Sequence, residues 1–262
     1  MNGLSLADIG GCPACGNPGK QPGADGFCPR CARYVRVVRE KSWNNPGLYH
    51  RAWYSYDGAP ARALRRIKRR KNGEILVFFV KRLAQLATED EQMRTADVVV
   101  PVPKTDAGAY HLAEMLARKT AETLELPFYA EALARRPNVR RQTLCNGRMD
   151  RIRNAGHAFR RGPEGDLTGK RVLLVDDICT TGATLCVCAG ILRRAGASDV
   201  FGLTVARREK GPCFLKSPVQ NTASVPESWE ISETLKKRAV RRRKARMRRR
   251  WFRSFLFGSK RG

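Results

Sequence analysis

Val172-Leu173-Leu174-Val175-Asp176-Asp177-Ile178-Cys179-Thr180-Thr181-Gly182-Ala183-Thr184 joins a run of branched apolar residues to two adjacent acids and a hydroxyl-rich turn. Four consecutive branched side chains bounded by turn residues suit a strand covered on both faces. The acids therefore emerge at its carboxyl end, where open α/β sheets place ligands. Thr180, Thr181, Gly182 and Thr184 then open a helical segment, Ala183 to Arg194, and bring backbone N–H groups, hydroxyls and a flexible Gly to a point that favours an anion. Carboxylates suit ribose hydroxyls or a hydrated Mg²⁺, and the loop suits a terminal phosphate. Together they read as a site for a phosphorylated ribose. The sequence holds neither a Walker Gly-Lys-Ser/Thr nor a dinucleotide glycine fingerprint after a strand. The competing reading is an ordinary strand-turn-helix corner with solvated acids and a Thr cap.

Outward from this run, strands alternate with helices. Tyr54 to Gly58 reads as a short strand and turn, Ala61 to Arg70 as a basic helix, and Ile75 to Ala87 as a helix with Leu76, Phe79, Val80, Leu83 and Leu86 at core spacing. Asp97-Val98-Val99-Val100-Pro101-Val102-Pro103-Lys104 reads as a buried strand stopped by prolines, with Lys104 at its carboxyl end. Gly108 to Leu124 reads as a helix, and Arg135-Arg136-Pro137 with Gln142 to Asn154 as irregular and cationic. The main strand is entered by a turn at Gly169-Lys170. Helix 183–194 stops at Ala195-Gly196, where Gly suits a left-handed cap, and Val200 to Val205 supplies a further strand. Such alternation implies a parallel sheet with right-handed crossovers, and hence an α/β body over residues 50–208.

Near the N-terminus, Cys12-Pro-Ala-Cys15-Gly16 and Cys28-Pro-Arg-Cys31 form two C-x-x-C knuckles across a short Gly/Pro-rich linker. Four thiolates from two such turns can close a tetrahedral Zn²⁺ site. The spacing predicts a zinc-ribbon-like module over residues 10–35 that needs its metal to fold. Two disulfides are the alternative, and a chain without a secretory signal normally meets a reducing compartment. Cys145, Cys179, Cys186, Cys188 and Cys213 are scattered, with small buried side chains the plain reading for Cys186 and Cys188.

The order of these pieces carries a resemblance. An apolar strand, two acids, two variable residues and Thr-Thr-Gly-x-Thr resemble the PRPP-binding motif of type I phosphoribosyltransferases. With the knuckles ahead of it, the Tyr-x-Gly-like turn and basic helix, the Val-Pro-Val-Pro strand end and the Arg/Gln/Asn stretch, residues 10–208 resemble the ComF family. That family is linked to DNA uptake in naturally competent bacteria and is amidophosphoribosyltransferase-like. In its pattern Arg135, Gln142, Leu144, Arg151, Asn154 and Phe159 correspond to the segment ahead of the PRPP motif. One element departs: where relatives carry Arg-Gly-Phe-Asn-Gln after the Val-Pro strand, this chain has Asp106-Ala107-Gly108-Ala109-Tyr110-His111.

The resemblance implies a type I phosphoribosyltransferase-like sheet flanked by helices, with PRPP as ligand, Mg²⁺ beside it and structural Zn²⁺ on Cys12, Cys15, Cys28 and Cys31. Asp176 and Asp177 would take the 2- and 3-hydroxyls of ribose as the catalytic pair. Thr180, Thr181, Gly182, Ala183 and Thr184 would take the 5-phosphate, and Lys104 the pyrophosphate, with Arg151 as a further candidate. A solvated surface lysine is the alternative for Lys104. His50, His111 and His157 stand in no dyad and read as structural or solvent-facing.

The formal charge of +27 points to polyanionic partners. Fourteen basic residues and no acid lie from Lys236 onward, so about half of the excess sits in one terminal segment. Residues 209–226 read as a linker, and residues 227–262 as a basic helical or disordered tail. Its cationic surface suits nucleic acid phosphates, single-stranded DNA among them. An anionic membrane competes through Trp251-Phe252-Arg253-Ser254-Phe255-Leu256-Phe257, and a solvated tail is the third reading. The N-terminus lacks the basic and apolar regions of a secretory signal, so a cytoplasmic protein is expected. No apolar run is long enough for a transmembrane segment. Two functions follow: a transferase acting on PRPP in DNA uptake, or a non-catalytic DNA-binding accessory that keeps the site as a sensor or remnant while the zinc module and tail engage DNA or a helicase-like competence protein.

Overall fold

The computed structural model describes residues 11–18, 26–38, 48–71, 73–103, 111–136 and 158–208. Lys104, the segment from Asp106 to Tyr110, residues 137–157, the linker and the basic tail lie outside the described residues. The chain divides into two units, Met1–Lys216 and Ser217–Gly262, and every described residue belongs to the first.

The stretch 172–175 forms the middle of β5, Arg171–Cys179, and all four side chains are fully buried. With β1 (Tyr49–Ser55), β2 (Val98–Pro101) and β6 (Asp199–Arg207) it builds a parallel sheet of order β1-β6-β5-β2. Alternate side chains leave a strand on opposite faces, and the two cores follow that period. Leu173 and Val175, with Val99, Leu203 and Val205, pack against α3 (Gly73–Glu89) and α4 (Leu112–Leu124). Val172 and Leu174, with Val98, Val100 and Val200, pack against α5 (Ala183–Arg194). A two-stranded antiparallel hairpin, β3 (Leu133–Arg135) with β4 (Phe159–Arg161), lies beside α5 on that second face. The stretch Arg135-Arg136, read from sequence as irregular, thus begins in a strand. The element is only three residues long and is defined by its partner rather than by a local pattern.

Other boundaries shift for local reasons. β1 starts at Tyr49, ahead of the expected Tyr54, because parallel pairing to β6 runs from Tyr49↔Phe201 to Ser55↔Arg207. α4 starts at Leu112 with His111 as its N-cap, and ends at Glu125 in the left-handed region, φ 53°. α2 (Gly58–Arg70) ends at Lys71 in the same conformation, φ 51°. Gly196, at φ 99°, closes α5 as the sequence implies. A short helix, α1 (Pro29–Ala32), follows the second knuckle.

The N-terminal cysteines do not stand apart from the body. Cys12, Ala14, Phe27, Cys28 and Cys31 belong to the same core cluster as α2, α3 and β1. Phe27, fully buried, meets Tyr54 edge-on at 5.8 Å and Phe78 at 5.5 Å. Arg66 of α2 donates to the Cys12 carbonyl at 2.8 Å, passing over Gly16, where a β-carbon would lie 2.8 Å from its guanidinium. Among the described residues no helix is long and apolar enough to cross a membrane.

Candidate functional site

β5 continues through both acids to Cys179 because β6 stays paired alongside it, Asp176↔Thr204, Ile178↔Ala206 and Cys179↔Arg207. The acids therefore occupy the last turns of the strand itself rather than the residues beyond it. β2 stops earlier, at Pro101↔Val175, with the Val102 N–H still donating to the Val175 carbonyl at 2.9 Å. Strand alternation then sends the two carboxylates to different faces. Asp176 lies on the α5 side, within electrostatic reach of Cys188, and its Oδ1 accepts the Asp177 N–H at 2.8 Å. Asp177 faces α2 and pairs with the Lys68 ammonium.

Burial, reinforced by the neighbouring Asp177 charge, pushes the Asp176 carboxyl well above the usual carboxylate range. Lys68 is subject to two opposed influences. Burial disfavours its charge, but attraction to Asp177 and then Asp176 outweighs that and raises its pKa. Tyr56 and Arg208 complete this side: the Tyr56 N–H donates to the Arg207 carbonyl at 2.6 Å, the Arg208 N–H donates to the Cys179 carbonyl at 2.9 Å, and the Arg208 guanidinium sits 5.9 Å from the Tyr56 ring centre.

After Cys179 the chain turns through Thr180, which is exposed, and Thr181 to Gly182, the N-cap of α5 at φ 74° and ψ −5°. Glycine reaches this left-handed conformation without the steric cost of a β-carbon. Gly182 offers no side-chain cap, so the first amides of α5 are left to a hydroxyl or a ligand. Thr181 Oγ1 stands 3.4 Å from the Ala183 N–H. Ala183 is buried, and Thr184 is partly exposed on the first turn. The structure thus brings Asp176, Asp177, Thr180, Thr181, Gly182, Ala183 and Thr184 into one strand-turn-helix corner, with Asp176 toward α5 and Asp177 toward α2. Lys104 lies outside the described residues. His111 Nδ1 lies 2.9 Å from Glu114 Oε2 and Nε2 lies 3.2 Å from the Val102 carbonyl, which ties the start of α4 to the end of β2. His50 is buried against Thr204.

The sequence between Lys71 and Thr234 matches the model of the phosphoribosyl transferase domain, a span of well over half the chain. The chain belongs to the phosphoribosyl transferase domain family. Among relatives it is 27% identical to Competence protein F of Haemophilus influenzae over 135 residues, covering 48% of this chain and 58% of that protein. It is 25% identical to DNA utilization protein YhgH of Escherichia coli O157:H7 over 210 residues, 75% of this chain and 90% of that one. This chain is thus a ComF-like member of the phosphoribosyl transferase domain family. It spans little more than half the length of the Haemophilus relative. Purine phosphoribosyltransferase from Pyrococcus horikoshii superposes with a TM-score of 0.33 at 19% identity, over 56% of this chain and 95% of the other.

Within this phosphoribosyl transferase domain, the paired acids have the donor type of a Mg²⁺ site. Mg²⁺ prefers one or two carboxylates with a ligand's phosphates supplying further oxygens. The four cysteines fit zinc on geometry. All four Sγ atoms lie within 4.8 Å of one another, and Cys15 to Cys28 is 3.8 Å, with no disulfide among them. A tetrahedron with Zn–S of about 2.3 Å has S···S edges of about 3.8 Å. Burial alone would raise the Cys12 thiol, but backbone N–H groups of Cys28, Cys15 and Ala14 outweigh it and bring its pKa down to about 7. Cys31 is pushed up to about 12, first by burial and then by neighbouring thiols, although Arg62 Nη2 approaches its sulfur at 3.8 Å.

Lys68, Tyr56 and Arg208 are the members of the corner that sequence reading misses. For Lys68 a signal exists: it lies at i+4 from Leu64 and i+7 from Ala61, two buried positions of α2, so a cation falls at the margin of an apolar stripe. Tyr56 and Arg208 meet only through parallel pairing of β1 with β6.

Proposed function

We propose that this phosphoribosyl transferase domain binds PRPP with Mg²⁺ at the carboxyl end of β5. The observation that carries the reading is the corner itself: two acids near the end of a central strand, followed within five residues of the second by a left-handed glycine that opens a helix and brings no side-chain cap of its own. Such a helix start favours the 5-phosphate, since its amides and dipole are aimed at an anion. Asp176 and Asp177 hold the ribose hydroxyls, Lys104 is the residue assigned to the pyrophosphate, and Zn²⁺ sits on Cys12, Cys15, Cys28 and Cys31. Asp176 and Asp177 would hold Mg²⁺, which would supply positive charge for the diphosphate. The chain's own part is to fix the sugar and to present donors where charge develops.

The basic tail, residues 227–262, binds single-stranded DNA or another nucleic acid, and the protein acts in the cytoplasm in DNA uptake alongside a helicase-like partner. The names of the two relatives, Competence protein F and DNA utilization protein YhgH, support this setting. A second reading, a nucleic-acid-binding accessory that senses PRPP without turning it over, is favoured by the departure at Asp106 to His111.

Calorimetry with PRPP and Mg²⁺ tests the site. Binding by the native chain and its loss in the Asp176→Asn, Asp177→Asn double variant is expected, and equal affinity in both refutes the assignment. Pyrophosphate release over a panel of bases and amines, beside salt-dependent DNA binding with and without residues 227–262, separates transferase from sensor.

A further inference from the structure

The acid pair already has a cation, and it belongs to the chain. Lys68 reaches from the last turn of α2 to Asp177 Oδ2, and its charge is also felt by Asp176 and Tyr56. Asp177 keeps only 15% of its side-chain surface exposed while Lys68 keeps 44%, so the carboxylate is the more buried partner of the pair. Nothing acidic competes for it on its own helix: α2 reads Gly-Ala-Pro-Ala-Arg-Ala-Leu-Arg-Arg-Ile-Lys-Arg-Arg.

The position of that ammonium is set from the other end of the helix. Ala59 N–H donates to the Tyr34 carbonyl at 3.0 Å, and Gly58, at φ 47°, lies so close that a β-carbon would stand 2.1 Å from the same oxygen. Arg66 donates to the Cys12 carbonyl at 2.8 Å, and Arg62 approaches the Cys31 sulfur. A helix held at these points on the cysteine module has little freedom to withdraw its last turn. The Lys68 stem is therefore presented to β5 by the fold rather than by chance contact of two surface charges.

We infer that Lys68 is the resident cation of the acid pair, a positioning residue that holds Asp177 in place and competes with a divalent ion for its carboxylate. This inference deepens the sugar-phosphate reading and rests on it for its purpose, although the competition itself concerns only this chain and a metal ion. An ammonium supplies one charge and hydrogen-bond donors, whereas a divalent ion brings two charges and needs oxygen ligands. Both seek the same oxygen. A site with its own cation therefore binds a bare divalent ion weakly and admits one when phosphates arrive with it.

The test uses the full-length, zinc-loaded protein and Mn²⁺ alone, read by the loss of the free-ion electron paramagnetic resonance signal. Lys68→Met is expected to tighten Mn²⁺ binding by about tenfold, Lys68→Arg to leave it near the native value, and Asp177→Asn added to Lys68→Met to abolish the gain. Unchanged or weaker Mn²⁺ binding in Lys68→Met, with native circular dichroism, overturns the inference. So does a gain that survives Asp177→Asn. A parallel PRPP titration separates the two claims: a Mn²⁺ gain without PRPP binding by the native chain refutes the sugar-phosphate reading alone, while PRPP binding with no Mn²⁺ gain refutes the role of Lys68 alone.

Discussion

Acidification should weaken this fold in part through a buried histidine, His50. It is 1% exposed on β1, and its Nε2 lies 2.9 Å from Thr204 Oγ1 on β6, the strand paired with the acid-bearing β5. Thr204 gives its own proton to the Ala206 carbonyl at 3.2 Å, so the hydroxyl accepts and Nε2 carries the hydrogen, which fixes the neutral tautomer. Burial, then the charges of Arg207 and Arg51, lower the His50 pKa from 6.5 to about 3. Between these values the unfolded chain binds the proton and the native one does not. Stability from His50 is thus full above about pH 6.5 and drains away as pH falls toward about 3. From about pH 7 to about pH 5 the linkage amounts to about 2 kcal/mol. The assay is urea unfolding of the native chain and of His50→Gln at both values. Subtracting one from the other cancels the shared thiol and carboxylate contributions. His50→Gln is expected to be less stable at neutral pH and to lose about 2 kcal/mol less on acidification. Parallel pH slopes for the two proteins would refute the reasoning.

Gly182→Ala forces a β-carbon into φ 74°, so it should cost about 1–2 kcal/mol in thermal or urea unfolding and weaken PRPP binding more than Thr184→Ala does. Chelating the metal should lower the melting temperature of the whole first unit in one transition, because Phe27 and Arg66 join the cysteine module to the main core; a separate early transition that leaves the body unchanged speaks against that shared core. Metal analysis of the reduced, unchelated protein should give close to one equivalent of zinc, and less than about half an equivalent counts against the Cys12, Cys15, Cys28, Cys31 site. Leu173→Ala removes a fully buried side chain from the centre of β5 and should cost about 3–5 kcal/mol by equilibrium unfolding.

Much of the α/β body is legible in the sequence because its elements satisfy strong local patterns. Val172 to Val175 and Val98 to Val100 are continuous apolar runs, as strands covered on both faces must be, and α5 falls at Ala183–Arg194, the expected span. The cysteine cluster is equally legible, since two C-x-x-C turns leave few geometries open. Residues that gain their structure from a distant partner are not. Tyr49 to Trp53 mixes His and Arg into a strand and is held there by β6, while Leu133–Arg135 and Phe159–Arg161 make a hairpin that neither segment announces. The corner at β5 divides in the same way. Its acids and threonines stand in one continuous stretch, so a single reading finds them. Lys68 lies more than a hundred residues earlier and joins them only because α2 is seated on the cysteine module. The opposite facing of Asp176 and Asp177 follows from strand alternation only because pairing with β6 extends the strand to Cys179.

The most direct test of the central claim is a crystal structure of the full chain soaked with PRPP and Mg²⁺. The 5-phosphate is expected on the turn from Thr180 to Thr184, with the ribose hydroxyls at Asp176 and Asp177. A phosphoribosyl group bound elsewhere, or a corner left empty under conditions where calorimetry shows saturation, would contradict it.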